Sequence, residues 1–267
     1  MNKKQAIVFT VLLLSLGFIC RYFDRDTIDL NSQSPWLGIW AISPLLVTLG
    51  FRLFTKDWKG FGLKMHLASN WKWYALSTLI FPVITTANLM IGKVTGSLVF
   101  TDKFSFTILL AAIMSGFLPM FIKNIFEEFT WRGYLTQKLN DGGMEPTQNH
   151  LWVGVIWALW HFPYLDLMIR SYSTMSFWLA IPLFFIATVI TAFVYGEIRL
   201  RSKTVWTAVL LHTLGNSITN PFIYMKMIQL VPGKEYMAAP GMDNLAYIFM
   251  ILLVVFYLFK KSKLQQS

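Results

Sequence analysis

Long apolar runs alternate with short polar segments along the whole chain. A helix that spans a bilayer needs roughly 17 to 25 mostly apolar residues. Runs of about this length lie at about 6–23, 35–54, 73–92, 105–126, 150–165, 176–196, 204–220 and 244–260. The pattern predicts an all-α, polytopic membrane helix bundle with about eight transmembrane helices. The fifth and seventh runs are short and carry polar residues, so a count from hydropathy alone would give six.

Composition leaves little room for a soluble domain. Of the 267 residues, 55% are hydrophobic and 13% are charged, whereas soluble domains carry about 25% charged residues. We therefore expect a single membrane-embedded domain over residues 1–267. The one cysteine, Cys20, excludes an intramolecular disulfide. Lys3 and Lys4 precede the first apolar run without a small-residue cleavage site after it, which indicates an uncleaved signal anchor.

The net charge of +10 arises from basic residues in the short polar segments. Such residues contact anionic headgroups and orient spans, so the expected partner is the lipid bilayer and not nucleic acid. With both termini cytoplasmic, the cytoplasmic segments hold 14 basic residues and the outer segments hold seven. The cytoplasmic set is Lys3, Lys4, Arg52, Lys56, Lys59, Lys64, Lys72, Lys138, Arg199, Arg201, Lys203, Lys260, Lys261 and Lys263. The outer set is Arg21, Arg25, Lys93, Lys103, Arg170, Lys226 and Lys234.

Ionisable residues also occur inside the apolar runs, where each costs about 2.5 to 3.5 kcal/mol at a helix centre. Glu127, Glu128 and Arg132 follow the apolar run 117–126. On a helix, Glu128 and Arg132 lie about 40° apart and can form an ion pair. Glu127 points about 100° away from Glu128, and we expect it to lack an in-helix cation and to face a different neighbour.

Two further clusters lie on later helices. His161 lies in the fifth run, and His212 and Asn216 lie one turn apart on the seventh. At 1.5 Å per residue, the carboxylates and both imidazoles lie roughly 12 to 16 Å from the cytoplasmic ends of their helices. This shared depth predicts one polar pocket. In such a pocket a carboxylate can accept a proton from water, while an imidazole and an amide can donate to an oxyanion.

These motifs, in this order on successive helices, resemble those of the type II CAAX prenyl protease family. The family is also called the CAAX protease and bacteriocin-processing, or Abi, group. The resemblance covers about residues 117–220, and Trp157 stands where the second motif usually has Phe. The matching residues are Glu127, Glu128 and Arg132, then Trp157 and His161, then His212 and Asn216.

The resemblance implies an intramembrane endopeptidase without a cofactor, with a cavity open toward the cytosol. Its substrate would be a membrane-associated or lipidated peptide or protein, possibly prenylated. The six polar side chains would form a water-activating pair, an oxyanion pair and a supporting ion pair, namely Glu127 with His161, His212 with Asn216, and Glu128 with Arg132.

Other functions remain open from the residues alone. Glu127, His161 and His212 could bind zinc, although no His-Glu-x-x-His motif occurs and metal-free chemistry is favoured. A non-catalytic scaffold, such as a bacteriocin-immunity or regulatory protein on the same fold, is a second alternative. A transporter is a third, but the sequence has no paired halves with broken helices.

Overall fold

The computed structural model describes residues 1, 3–28, 30, 32 and 34–263. Within them the chain is almost entirely helical, with one two-stranded antiparallel sheet in which Leu98 pairs with Leu230. The elements are α1 (Lys3–Phe23), α2 (Pro35–Thr55), α3 (Leu67–Thr95), β1 (Leu98–Phe100), α4 (Phe106–Glu128), a π-helical segment (Phe129–Leu135), α5 (Thr136–Asp141), α6 (Pro146–His161), a 3₁₀ turn (Phe162–Tyr164), α7 (Leu165–Tyr172), α8 (Phe177–Ser202), α9 (Trp206–Tyr224), β2 (Ile228–Leu230) and α10 (Leu245–Lys263).

All eight apolar runs fall within helices of the structure. Six helical stretches of the described chain are long and apolar enough to cross a membrane: Lys4–Phe23, Pro35–Thr55, Leu67–Thr95, Phe106–Asp141, Pro146–Tyr172 and Phe177–Ser202. α10 contributes a shorter apolar stretch, and α9 is the polar seventh run. The all-α, polytopic membrane bundle is thus confirmed, while the number of eight spans stays a prediction.

A π-helical segment interrupts the fourth span directly after the paired glutamates. Phe129–Leu135 contains Arg132 and continues from α4 into α5. Short π-helical insertions widen the helix locally and are frequent at functional sites. The irregular backbone therefore coincides with the segment that carries the first motif.

Close approach of α6 and α8 depends on Gly154. A Cβ atom at this position would lie 2.9 Å from the Ala192 Cβ and 3.0 Å from the Val189 Cα. Small residues allow membrane helices to approach through their backbones, where van der Waals contact holds them together. The contact draws α6, which carries His161, against the centre of the bundle.

One end of the bundle holds the N-terminus and the loop 56–66, and we call it the N-terminal end. The amino group of Met1 donates to the Lys138 carbonyl at 3.1 Å. Lys138 also forms an ion pair with Asp57, and the hydrogen bond from Lys138 lowers the pKa of that carboxyl. The loop and the end of α5 are therefore joined at this end.

The opposite end holds the two-stranded sheet, the segment 162–176 that contains α7, and the loop 231–244, and we call it the sheet end. Arg21 at the end of α1 pairs with Asp166 at 2.8 Å. The Ser97 hydroxyl donates to the Ala238 carbonyl at 2.8 Å. These contacts join the loops of the sheet end into one surface.

Candidate functional site

Glu128 is shared by two partners at the centre of the bundle. Arg132 donates from Nη1 to Glu128 Oε1 at 3.1 Å, and His212 donates from Nδ1 to the same oxygen at 2.8 Å. Glu128 and Arg132 are fully buried. The expected ion pair is therefore present, and His212 joins it from α9. The assignment of the Nδ1 proton follows from the carboxylate, which can only accept.

Aromatic rings enclose the buried guanidinium. The Cζ atom of Arg132 lies 4.3 Å from the ring centre of Trp157 and 4.4 Å from that of Tyr195. Cation–π contacts of this kind stabilise a desolvated cation by about 2 kcal/mol. The rings and the Glu128 carboxylate together explain how a cation is retained in this interior.

Glu127 has partners that the sequence analysis did not assign to it. The carboxylate is fully buried and forms an ion pair with Lys123, one turn earlier on α4. Its second oxygen accepts a hydrogen bond of 3.0 Å from the indole N–H of Trp157. The expectation that Glu127 lacks an in-helix cation is wrong. The same four-residue spacing that indicated Glu128 with Arg132 would have indicated Lys123 with Glu127.

His161 is held by the backbone of its own helix. Its Nδ1 donates to the Trp157 carbonyl at 2.8 Å, and because a carbonyl only accepts, Nδ1 carries the proton. The edge contacts with Trp160 and Phe184, at ring-centre distances of 4.7 and 5.2 Å, fix the ring plane. In the neutral imidazole, Nε2 then has a free lone pair. Trp157 thus touches both expected water-activating side chains, through its indole and its carbonyl.

Asn216 lies one turn beyond His212 and contacts α4. Its amide Nδ2 donates to the Asn124 side-chain oxygen at 3.2 Å. Asn124 is fully buried, and it was missed because a single asparagine in an apolar run gives no distinctive pattern. The contact fixes which face of the Asn216 amide carries the N–H groups.

A cavity of about 330 Å³ lies over this cluster. Lys123, His161, His212 and Asn216 all contribute to its wall, whereas the carboxylates of Glu127 and Glu128 are buried behind it. The volume is within the range of small-molecule and peptide side-chain sites. The structure thus brings five of the six predicted residues to or just behind one cavity wall, with Arg132 beneath Glu128.

The cavity lining extends to the sheet end. Its outer lining includes Ser173, Met175, Glu235 and Asp243 from the loops there. Burial raises the pKa of the Asp243 carboxyl to about 6, and the nearby charge of Glu235 adds to this. None of the described lining residues comes from the loops 56–66, 142–145 or 203–205.

The position of the cavity bears on the expected localisation of the termini and of the site opening. Cytoplasmic termini and a cytoplasmic opening were predicted together, but the N-terminus and the outer part of the cavity lie at opposite ends of the bundle. The side of the membrane on which the termini and the cavity lie stays a prediction.

The site also bears on the zinc alternative. Within the described part of the chain, no three His, Cys, Asp or Glu side chains lie close enough together to hold a metal ion. Glu127 is bonded to Lys123 and Trp157, and the Nδ1 atoms of His161 and His212 already have partners.

Comparison with known families adds an independent observation. Residues 108–218 match the family model described as Type II CAAX prenyl endopeptidase Rce1-like. The resemblance to this family is confirmed. The matched range includes all three motifs. A search of curated proteins found no match to the chain.

Proposed function

We propose that this Rce1-like chain hydrolyses a peptide bond of a membrane-associated or lipidated peptide or protein inside the membrane. The observation that carries the proposal is the convergence of the three motifs of the matched range at one cavity, where His161, His212 and Asn216 line the wall and the glutamates of the first motif are buried behind it. A prenylated substrate is one member of this class. The six residues proposed as the site are those named from the sequence, with Lys123, Asn124 and Trp157 as supporting groups.

The proposed nucleophile is a water molecule between His161 and Glu127. The free Nε2 lone pair of His161 can accept a proton from this water, and the Glu127 carboxylate can orient it or take up the charge. The water oxygen then adds to the carbonyl carbon of the substrate. The proton passes to the amide nitrogen as the carbon–nitrogen bond breaks, which releases an amine and a carboxylate.

His212 and Asn216 are proposed to bind the oxygen that becomes negative. Asn216 can donate an amide N–H from the cavity wall. His212 already donates from Nδ1 to Glu128, so it can donate to an oxyanion from Nε2 only as an imidazolium. Glu128 is the counter-ion for that state. Removal of one such donor typically lowers turnover by a factor of about 100 to 1,000.

A peptide-library digestion tests the proposed activity. The purified full chain is incubated with membrane-reconstituted peptides, some of them prenylated, beside the variants Glu127→Ala and Glu145→Gln. Glu145 is an exposed glutamate at the start of α6 and serves as the matched control. We expect cleavage by the parent and the control but not by Glu127→Ala. Cleavage that survives in Glu127→Ala, or a parent that cleaves nothing in the library, contradicts the proposal.

We also propose that this chemistry needs no metal ion. The absence of a His-Glu-x-x-His motif and the existing partners of the imidazole Nδ1 atoms support this. Chelator treatment of active protein should leave the cleavage rate unchanged, and metal analysis should find no stoichiometric zinc. Loss of activity on chelation, with recovery on adding zinc back, would overturn this part.

The orientation that we propose has both termini in the cytoplasm. The basis is the twofold excess of basic residues in the segments assigned to that side, since Lys and Arg near span ends favour the cytoplasmic face. The contacts at the N-terminal end support this grouping, because Met1, Lys138 and the loop 56–66 lie together there.

Replacement of Trp157 by Phe tests the contact with Glu127. Phe retains an aromatic face for Arg132 and the backbone carbonyl for His161 but removes the indole N–H. Hydrogen bonds to charged groups contribute about 1.5 to 3 kcal/mol, so we expect turnover to fall about 10- to 100-fold. The control is Trp152→Phe, an exposed tryptophan of the same helix. Equal turnover in Trp157→Phe and the parent would show that this bond does not position Glu127.

A further inference from the structure

Polar side chains follow one another along the part of α9 that lines the cavity. His212, Asn216 and Asn220 recur at intervals of four residues, and all three contribute to the lining. On a helix this interval places successive side chains about 40° apart around the axis and about 6 Å apart along it. This set of three, which we call the α9 row, therefore extends one side chain beyond the proposed oxyanion pair, to Asn220.

Asn220 differs from the other two members of the α9 row in its bonding. His212 donates to Glu128, and Asn216 donates to Asn124. Within the part of the chain that the structure describes, no hydrogen bond involves the half-buried side chain of Asn220. A side-chain amide has two N–H donors and an oxygen that accepts two bonds. Asn220 therefore presents an unused donor and an unused acceptor to the cavity.

The other polar side chains that line this stretch of α9 already have partners. The hydroxyls of Thr219 and Thr85 lie 3.3 Å apart and bond to each other. Tyr224, at the end of α9, has its hydroxyl in contact with that of Tyr172. Beyond Asn216, Asn220 is thus the lining residue of α9 whose side chain can bond to a bound polypeptide without giving up a bond within the protein.

The spacing of the α9 row matches that of an extended polypeptide. Two residues of an extended chain span about 6.6 to 6.8 Å, which is close to the axial interval of about 6 Å between Asn216 and Asn220. In an extended chain the N–H and C=O groups of every second residue point to the same side. A substrate whose scissile carbonyl faces Asn216 therefore turns the N–H and C=O of a residue two positions away toward Asn220.

We infer that Asn220 is a substrate-binding residue whose side-chain amide bonds to the backbone of a residue two positions from the scissile carbonyl. Its Nδ2 donates to the C=O of that residue and its Oδ1 accepts from the N–H, so the cleaved segment is bound in an extended conformation. Asn220 lies outside the matched range 108–218 and outside its three motifs. The position of the scissile bond rests on the proposed function, whereas the binding of an extended backbone by Asn220 does not.

Kinetics of Asn220→Leu test the binding role on one peptide that the parent cleaves. Leu is close to Asn in size but has no hydrogen-bonding group, and Asn140→Leu, at an exposed asparagine of α5, is the matched control. Because the two bonds form in the ground state and in the transition state alike, we expect KM to rise about tenfold and kcat to change less than about threefold. The control should keep both constants. An unchanged KM in Asn220→Leu, or a fall in kcat alone, contradicts the inference.

Backbone N-methylation of the same peptide identifies the bonded residue. Each peptide of a series carries one N-methyl group, at successive positions on both sides of the scissile bond, and so lacks one backbone donor. At one residue two positions from the scissile carbonyl, we expect methylation to raise the KM of the parent about three- to tenfold and that of Asn220→Leu less than about twofold. Equal effects on parent and variant at every position would overturn the inference. A parent whose KM rises at neither residue two positions away would do so without any variant.

Binding measurements separate this inference from the proposed function. Dissociation constants of the plain and N-methylated peptides are measured in Glu127→Gln, with and without Asn220→Leu; if the parent cleaves no library peptide, the tightest-binding one is used. Coupling of about threefold or more between one methyl position and Asn220→Leu supports the binding role, even where a parent without cleavage contradicts the proposed function. No coupling contradicts the inference, and a chain that binds none of the peptides contradicts both. Asn220→Ala replaces Asn220→Leu if the latter melts below the parent.

Discussion

Glu127→Gln should abolish turnover while the protein stays folded. The amide has nearly the same shape as the carboxylate and can still accept the hydrogen bond from the Trp157 indole. It cannot orient a water as an anion or take up a proton, and loss of such a group costs about 100- to 10,000-fold in rate. The measurement is single-turnover cleavage of a library-derived peptide by detergent-solubilised parent and variant.

The free energy of unfolding distinguishes a specific loss of catalysis in Glu127→Gln from a general loss of folded protein. Loss of the charge leaves Lys123 without its ion-pair partner, but the Lys123 side chain is 37% exposed and borders the cavity. It can therefore remain solvated, and we expect the free energy of unfolding to change by about 1 kcal/mol or less. If Glu127→Gln retains full activity, or melts at a temperature far below that of the parent, the proposed role of Glu127 is wrong.

The helices themselves were predictable because apolar run length alone determines where a membrane helix can form. Each of the eight runs is helical in the structure, and the fifth run extends through α7 to form the candidate span Pro146–Tyr172. This span is longer than the fifth run because the helix Leu165–Tyr172 follows the run after a 3₁₀ turn at Pro163. A hydropathy window cannot detect that continuation, because it averages the hydropathy of the residues and carries no information about the direction of the helix axis.

The site was predictable to the extent that its contacts lie within one helix. The pair Glu128 and Arg132 follows from helix geometry, and the contact is present at 3.1 Å. The bond from His212 to Glu128 joins α9 to α4, and no periodicity within either helix specifies it. The two partners of Glu127 differ in the same respect. The ion pair with Lys123 could be predicted from the four-residue spacing on one helix, whereas the hydrogen bond from the Trp157 indole joins two helices and could not.

Trp157 shows why a substitution between aromatic residues changes more than packing. The sequence identifies only an aromatic side chain at this position. In the structure its indole N–H binds Glu127, its ring covers Arg132 and its carbonyl accepts from His161. Of these three contacts only the first depends on Trp, so this chain has a donor to Glu127 that a Phe cannot supply.

Glu128→Gln should lower both stability and turnover. Arg132 is fully buried, and Glu128 is the one carboxylate that the structure gives it among the described ion pairs. Breaking a buried pair by removing one charge typically costs about 3 to 5 kcal/mol, because the remaining charge is left uncompensated. The aromatic faces of Trp157 and Tyr195 offset part of this, so we expect a loss near the lower value of about 3 kcal/mol.

A double variant separates the two effects of Glu128. In Glu128→Gln combined with Arg132→Met, neither buried charge remains, and Met can pack between the two rings that enclose the guanidinium. Stability should therefore recover to near that of the parent. Turnover should stay low, because His212 still lacks the carboxylate that accepts from its Nδ1. Thermal unfolding and cleavage rates are measured on both variants. Recovery of turnover along with stability in the double variant would mean that Glu128 acts only through Arg132. An undiminished melting temperature in Glu128→Gln would mean that the buried pair does not stabilise the fold.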